Sequence, residues 1–404
     1  MYLWVSIIAF FGISHLGACL SLSYENRILN EVTAFSVLFC VFYILVRYIC
    51  CRVKGFHINN SVNEFSNGFS KQDERISKLF FFMLIFSSLM YFFILLSNAG
   101  GISSISKSAV YENRSGSNLV LIVSYLWTAS SPVMFLYMIK HKMKYSIVCA
   151  VCILIVSVIT FTRSYLVVLF IVITLYYLFS GKVRFRKILI LGCILCIGLY
   201  SMYLLRGFRY FYSFSDLGTI SFLDIHNKSM WLLNQKSGDI YLSDYFYKLV
   251  NIQNNYPGLG TGAGYLRLLL LPIPSSLSMG LKPQDICVTL GELFGDGIVS
   301  AVNFTVTPTL FGDCYANFGF YGFIMGGVWA IIVSILDRVG HRRSVAIKGL
   351  SMVLISSAYI NIGRGTVYNA MASIFYSLIL YGIAIILAKS KLKIRFKLYT
   401  KRGR

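Results

Sequence analysis

The sequence is poor in charged residues, and acidic side chains are especially scarce. Only 13% of its 404 residues are charged, with 15 Asp and Glu against 37 Lys and Arg. This composition excludes a soluble domain of the ordinary kind. The chain also has no phosphate-cradling P-loop, no dinucleotide-binding fingerprint and no Asp-x-Asp metal motif. Nothing in the sequence therefore suggests nucleotide chemistry.

Histidine is scarce as well. The chain has five, and no two of them stand at the spacing of metal ligands. Only His226 lies in the long segment that we place outside the membrane. We therefore expect no metal ion, no cofactor and no Ser-His-Asp triad.

What the chain has in abundance is apolar residues, at 57%. A helix of about 20 such residues crosses a bilayer. The sequence predicts an all-α polytopic membrane protein with about ten transmembrane helices, within a range of ten to twelve. The ten predicted spans are Tyr2–Ser21, Val32–Cys50, Leu79–Ser97, Leu119–Met138, Tyr145–Thr160, Tyr165–Phe179, Ile188–Leu205, Thr309–Leu336, Gly349–Ile362 and Tyr368–Ala388.

The net charge of +22 follows membrane topology. If the first span leaves the cytoplasm, the basic residues concentrate in every second loop and in the C-terminal tail, as the positive-inside rule requires. Both termini are then cytoplasmic. The long segment 206–307 is neutral, with seven basic and seven acidic residues. The basic excess thus indicates contact with anionic membrane lipids, and no nucleic acid is expected as a partner.

This topology divides the chain into four parts. Residues 1–205 hold the first seven spans, and 206–307 form one large outer loop between the seventh and eighth. Residues 308–388 hold the last three spans, and 389–404 form a basic cytoplasmic tail. Within the loop, Gly264–Leu277 is apolar but too short to span, which is typical of an interfacial or re-entrant segment.

Basic side chains stand at outer helix ends, where the positive-inside rule disfavours them. Guanidinium groups grip phosphate oxygens in pairs and stay charged, so several converging there would suit a lipid diphosphate. The alternative is that each snorkels to a headgroup or pairs locally. The candidates are Arg163, Arg206, Arg209, Arg267 and Arg364.

Asp313 is an acid at the outer end of a predicted span. Such a residue is costly in a membrane unless it is paired or used. It could form a structural ion pair with one of the arginines, or it could accept a proton from an attacking hydroxyl. Glu292 and Asp296 are rival bases, and they could equally be solvated loop acids.

Small residues flank Asp313 in the sequence. Gly312, Gly319, Gly322 and Gly326 fall near one stripe of the predicted helix, which would allow a neighbouring helix or a lipid tail to approach closely. Cys287 and Cys314 both fall on the outer side and could pair as a disulfide.

Four stretches carry a resemblance to a known family. They are "TRSYLVVLF" (Thr162–Phe170), "RLLLLPIPSSL" (Arg267–Leu277), "KP" (Lys282–Pro283) and "TPTLFGDCYANFGFYGFIMGG" (Thr307–Gly327). Together with the long outer loop, they resemble the Wzy family of O-antigen polymerases.

The resemblance implies a glycosyltransferase with a GT-C-like fold in the bacterial inner membrane. It would join oligosaccharide units carried on undecaprenyl diphosphate at the periplasmic face, without a metal. Arg163, Arg206, Arg209, Arg267, Lys282 and Arg364 would hold diphosphate, and Asp313 would be the base. A chain-length regulator protein and a flippase would be its partners. An O-antigen ligase, another polyprenyl-diphosphate-sugar glycosyltransferase and a polysaccharide flippase remain alternatives.

Overall fold

The structure is a computed structural model. It describes residues 2–21, 23–52, 69–99, 118–160, 162–179, 219–234, 242–273, 278–294, 306–339 and 344–389, together with single residues and short stretches between 190 and 208.

The described part of the chain is helical and contains no β-strand. Its helices α1 to α16 are, in order, Tyr2–Ile7, Ile13–Ser21, Asn26–Arg52, Lys71–Ala99, Asn118–Ser130, Val133–Ile139, Met143–Ile159, Arg163–Phe179, Phe222–Asn234, Leu242–Asn251, Ala263–Leu269, Ile286–Phe294, Thr309–Phe318, Met325–Val339, Val345–Arg364 and Val367–Lys389. A π-helical turn, Ile8–Gly12, joins α1 to α2, and a 3₁₀ segment, Gly319–Ile324, joins α13 to α14.

Seven helical stretches in the described residues are long and apolar enough to cross a membrane. They are Leu3–Ser21, Asn26–Cys50, Lys71–Ser97, Leu119–Ile139, Thr309–Arg338, Val345–Arg364 and Val367–Lys389. A polytopic all-helical membrane protein is therefore confirmed, whereas the count of ten spans and the GT-C-like arrangement stay predictions. Helices α7 and α8 are not among these seven, because they are shorter. Each has 17 residues and is therefore about 25 Å long, at 1.5 Å per residue. The predicted span Ile188–Leu205 is described only in part, and the described residues include the shorter apolar helical stretch Cys196–Leu205.

The predicted span Thr309–Leu336 corresponds to the apolar stretch Thr309–Arg338, but it is not one continuous α-helix. α13 ends at Phe318, and the chain turns at Gly319, whose φ of 59° is left-handed. Gly322 then packs against the backbone of Cys314, where a side chain would collide. Glycine permits this turn because it has no Cβ. The four glycines consequently form no single stripe: Gly312 faces Phe246, and Gly326 faces the backbone of Phe39 in α3.

The buried apolar side chains form two clusters. The first contains residues of α1, α3, α10, α12, α13 and α14, and the second contains residues of α4 to α8. Helix α16 contributes to both, with Ala370 in the first and Tyr381 in the second. Helix α15 contributes to both: Leu350 and Val353 pack in the second cluster, and Ala358 and Ile362 pack in the first. Because α15 is buried on most of its surface, it ties the two halves of the bundle together.

The bundle has two distinct ends. At the first, α10 to α13 meet the C-terminus of α15; we name it the loop end. At the other, contacts join Arg338 to Cys50, Arg75 to Ala388, and the α4 N-terminus to Ala346; we name it the ion-pair end. The segments predicted to share the cytoplasmic side thus meet at one end. Which side of the membrane that end faces stays a prediction.

Candidate functional site

A small cavity lies at the loop end, where four parts of the chain converge. Its walls come from α11, from the start of α12, from α13 and from the turn between α15 and α16. Its volume is about 10 Å³, which is room for roughly one water molecule. The polar side chains that line it belong to Tyr265, Arg267, Asp285, Cys287, Asp313, Thr366, Tyr368 and Asn369.

Asp313 is the most deeply buried acid of this cavity, with 3% of its surface exposed. Its Oδ2 atom has no hydrogen-bond partner in the part of the chain that the structure describes. None of the ion pairs among those residues involves Asp313. An unsatisfied buried carboxylate oxygen costs about 1–3 kcal/mol or more, so it calls for an explanation beyond packing.

Helix α13 holds Asp313 in place because the whole helix is enclosed. Every residue from Thr309 to Asn317 is buried. Pro308 precedes the helix, where a missing N–H costs nothing, and Gly312 lets Phe246 of α10 approach its backbone. The carboxylate consequently has little freedom to leave the cavity.

The wall that faces α13 is a glycine-rich loop docked on the C-terminal end of that helix. The N–H groups of Gly260 and Gly262 donate to the carbonyls of Ala316 and Asn317, at 2.8 and 2.7 Å. The N–H of Gly264 donates to Oδ1 of Asn317 at 2.7 Å. These bonds satisfy the free carbonyls of the helix end and place α11, with Tyr265 and Arg267, beside Asp313.

Tyr265 links three elements beneath the cavity. Trp329 of α14 donates its indole N–H to the Tyr265 hydroxyl at 2.9 Å, and the Cys314 sulfur lies 3.3 Å from that hydroxyl. The hydroxyl also interacts with the Asp313 carboxylate. Burial raises the pKa of Tyr265 well above its usual range. The phenol is therefore neutral and can donate a hydrogen bond.

Two predicted phosphate ligands meet around one aromatic ring. The Arg267 guanidinium lies 4.5 Å from the centre of the Tyr368 ring, and the Lys282 ammonium lies 5.5 Å from it. Arg267 also donates to the carbonyl of Pro283 at 2.5 Å, whereas its buried Nε has no partner among the described residues. Cation–π contact holds both cations at the mouth of the cavity without neutralising them.

Arg364 ends α15 on another side of the same region, where its charge acts on Cys287. The next residue, Gly365, has a φ of 98°, and a Cβ there would lie 2.7 Å from the Thr309 backbone nitrogen. Only glycine allows this turn to touch the start of α13. The turn thus brings Arg364 close to the cavity wall.

The two cysteines of this region are free thiols, so the disulfide that the sequence left open does not form. Cys314 contacts Tyr265, and Cys287 donates to the carbonyl of Gly365 at 3.5 Å. Burial raises the pKa of Cys287 well above its usual range, which keeps it protonated and unreactive.

Comparison with known proteins adds the family. The chain matches the family model described as "Putative O-antigen polymerase" over residues 1–376. The chain belongs to the O-antigen polymerase family. No curated protein and no solved structure matches it significantly. The family match confirms the resemblance to O-antigen polymerases. Membership of this family implies a membrane polymerase of glycosyltransferase type that acts on lipid-linked oligosaccharide.

For this polymerase, the structure brings four of the predicted site residues to the loop end. Asp313 and Arg267 line the cavity, Lys282 shares the Tyr368 ring with Arg267, and Arg364 lies beside Cys287. Their roles stay predictions. Arg206 and Arg209 lie outside the described residues, and Arg163 begins α8 with its side chain outside them.

The rival bases have different positions. Glu292 is exposed and accepts a hydrogen bond from Gln284 at 2.7 Å, and it does not line the cavity. Asp296 lies outside the described residues. Among the residues that are described, no group of three or more His, Cys, Asp or Glu is arranged to hold a metal ion.

Sequence reasoning missed Asp285, Tyr265 and Tyr368. Asp285 precedes α12, where its Oδ1 accepts the N–H of Cys287 at 3.0 Å. An Asp before an apolar helical run is an N-cap signal, which is visible in the sequence but says nothing about a cavity. The two tyrosines resembled the many aromatic residues that anchor membrane helices.

Proposed function

We propose that this polymerase joins oligosaccharide units carried on undecaprenyl diphosphate, with the loop end as its active site at the periplasmic face of the inner membrane. The donor is the growing chain on its lipid diphosphate, and the acceptor is a hydroxyl of a new lipid-linked unit. The observation that carries the proposal is one cavity lined by two buried groups that lack partners among the described residues: Oδ2 of Asp313 and Nε of Arg267.

In the proposed step, the acceptor oxygen bonds to the anomeric carbon of the donor, and the bond from that carbon to the diphosphate oxygen breaks. Asp313 accepts the proton of the acceptor hydroxyl. The diphosphate leaves with the bonding electron pair, so its negative charge grows in the transition state. Arg267, Lys282 and Arg364 stabilise that charge, since preorganised cations act most strongly where charge develops.

Arg163, Arg206 and Arg209 belong to the same proposal as further diphosphate ligands. For these three arginines the proposal rests on the sequence alone, because each lies at the outer end of a predicted span. Since the diphosphate already activates the donor, the reaction needs no nucleotide at this face.

The cavity holds about one water molecule, so a sugar must first separate its walls. The proposal assigns this opening to the docked loop, residues 258–264, which hydrogen bonds to α13 and the ring contact between Tyr265 and Phe318 hold in the closed position. Substrate binding would then displace the loop that carries Tyr265 and Arg267. Reclosure would bring Arg267 onto the diphosphate.

The test is elongation of a purified lipid-diphosphate-linked unit by the purified protein in lipid nanodiscs, followed as a product ladder on gels. We expect Asp313→Asn to lower the rate about 100-fold or more, as is typical for loss of a general base. Glu292→Gln is the matched control and keeps the wild-type rate. A nanodisc encloses no compartment, so the assay does not measure transport. Elongation by this purified protein would therefore also exclude the flippase alternative.

Asp285 is the competing candidate for the base, and its substitution provides the outcome that would contradict the Asp313 assignment most directly. It is the second carboxylate of the cavity, so Asp285→Asn is measured in parallel. If Asp285→Asn abolishes elongation and Asp313→Asn does not, the base is Asp285 and the Asp313 assignment is wrong. If Arg267→Gln elongates at the wild-type rate, the diphosphate assignment fails.

A further inference from the structure

A second and much larger cleft lies at the ion-pair end, between the start of α4 and the turn that joins α6 to α7. Its volume is about 440 Å³, against about 10 Å³ for the cavity at the loop end. The lining residues are Phe69, Ser70, Lys71, Glu74, Ile139, Lys140, His141 and Lys142. No step of the proposed reaction uses it.

The cleft is electropositive. Lys71, Lys140 and Lys142 line it, and Glu74 is its one acidic lining residue. Glu74 is already shared, since its Oε1 lies 3.4 Å from the Lys78 ammonium and 3.7 Å from that of Lys142. The neighbouring Asp73 is turned inward and is 2% exposed. The described lysines therefore exceed the carboxylates that could neutralise them.

The backbone fixes two of these lysines in a tight turn. His141 has a φ of 54°, and the N–H groups of Lys140 and Lys142 donate to the carbonyls of Leu136 and Tyr137. The Lys140 ammonium lies 3.9 Å from the centre of the Phe69 ring. Partial burial lowers the pKa of Lys140, because desolvation disfavours the charged form.

Apolar surface continues directly from the cleft along α4 and α7, which pack against each other. On α4, Phe82 and Phe86 are 66% and 56% exposed; on α7, Met143 and Ile147 are 56% and 58% exposed. In a helix that crosses a membrane, such side chains contact acyl chains. A ligand that fits both surfaces has an anionic head and an apolar tail.

We propose that this cleft binds the phosphate-bearing headgroup of an anionic phospholipid, with the acyl chains lying along α4 and α7. Lys140 and Lys142 contact the phosphate, and Ile139 and Phe69 cover the glycerol. The site is independent of the polymerase reaction. Basic pockets between membrane helices commonly hold such headgroups.

The experiment is native mass spectrometry of the purified protein, titrated with dioleoylphosphatidylglycerol and, separately, with dioleoylphosphatidylcholine. The wild type should retain phosphatidylglycerol more strongly than phosphatidylcholine. Lys140→Gln/Lys142→Gln should weaken retention of phosphatidylglycerol about tenfold. Each lysine near a phosphate contributes a small binding free energy, and the contributions of two lysines together correspond to an affinity change of about that size. Lys140→Arg/Lys142→Arg should restore it, because the charge returns.

Two controls keep the result specific. Lys228→Gln/Lys248→Gln removes the same charge from exposed lysines of α9 and α10, far from the cleft, and should leave retention unchanged. Inorganic phosphate at the lipid concentration should not compete. Equal loss in both double variants, equal retention of the two lipids, or displacement by phosphate would each overturn the proposal. A thermal unfolding midpoint for each variant separates loss of binding from loss of folding.

Discussion

Two aspartates are buried almost equally at the two ends of the bundle, yet their surroundings are opposite. Asp73 is 2% exposed and Asp313 is 3% exposed. Oδ2 of Asp73 accepts from the N–H and the hydroxyl of Ser70, at 3.0 and 2.7 Å, and its Oδ1 accepts from the N–H of Ala346 at 3.0 Å. Oδ2 of Asp313 has no partner among the described residues.

The difference teaches what a buried carboxylate does. Asp73 completes a capping box with Ser70 at the start of α4 and fastens the start of α15 to it, so its charge is used within the fold. Oδ2 of Asp313 makes no such contact between helices. The Asp313 side chain lines a cavity instead. A buried group that stabilises little is one that a substrate can use.

The largest effect should come from the same substitution at the two positions. Asp73→Asn must turn an amide donor toward the N–H of Ser70 or of Ala346, which should destabilise the fold by about 2 kcal/mol. Asp313→Asn keeps one oxygen that can accept from Tyr265 and meets no donor at Oδ2, so it should leave stability little changed. Thermal unfolding midpoints in detergent measure both, and a similar loss in the two variants would refute the contrast.

Substitutions of one arginine at each end should show the same contrast between stability and activity. Their effect on stability should be smaller than that of the aspartate substitutions. Arg47 donates to Ser334 at 2.6 Å and to Asp337 at 2.5 Å, joining α3 to α14. Arg47→Met leaves the Asp337 carboxylate undercompensated and should cost about 1–3 kcal/mol, while activity per folded molecule is kept. Arg267→Met should show the reverse, with activity lost and only a smaller fall in the midpoint from the lost contacts with Pro283 and Tyr368. Parallel assays of both properties decide.

The smallest effect should come from the exposed ion pairs. Glu74 lies at the surface of the ion-pair end, where solvent and salt screen its contacts with Lys78 and Lys142. Glu74→Gln should therefore leave the thermal midpoint unchanged within error, at both low and high salt. A salt-dependent fall would show that this end relies on its surface charges more than on Asp73 and Arg47.

Most of the spans could be predicted because length and hydrophobicity are local properties of a sequence. Asn26–Cys50, Lys71–Ser97 and Val367–Lys389 each contain their predicted span. The break at Gly319 could not be predicted in the same way. A glycine in an apolar run is compatible with a straight helix, and only the packing of Gly322 against Cys314 shows the turn.

The candidate site was predictable where a residue violates a membrane rule. Asp313, Arg267 and Arg364 stand out because a charge is unexpected at their positions. Asp285, Tyr265 and Tyr368 break no such rule. They join the site through contacts between α11, α12, α13 and α16, which no local pattern encodes.

The sequence by itself determined a polytopic helical membrane chain and its membership of the O-antigen polymerase family, because composition, span length and short motifs are read residue by residue. It also marked Asp313 as unusual. Only the tertiary structure decided that Asp313 lacks a cation among the described residues and shares a cavity with Arg267 and Asp285. Whether a buried charge is satisfied depends on groups that are distant in the chain, so packing alone distinguishes Asp313 from Asp73.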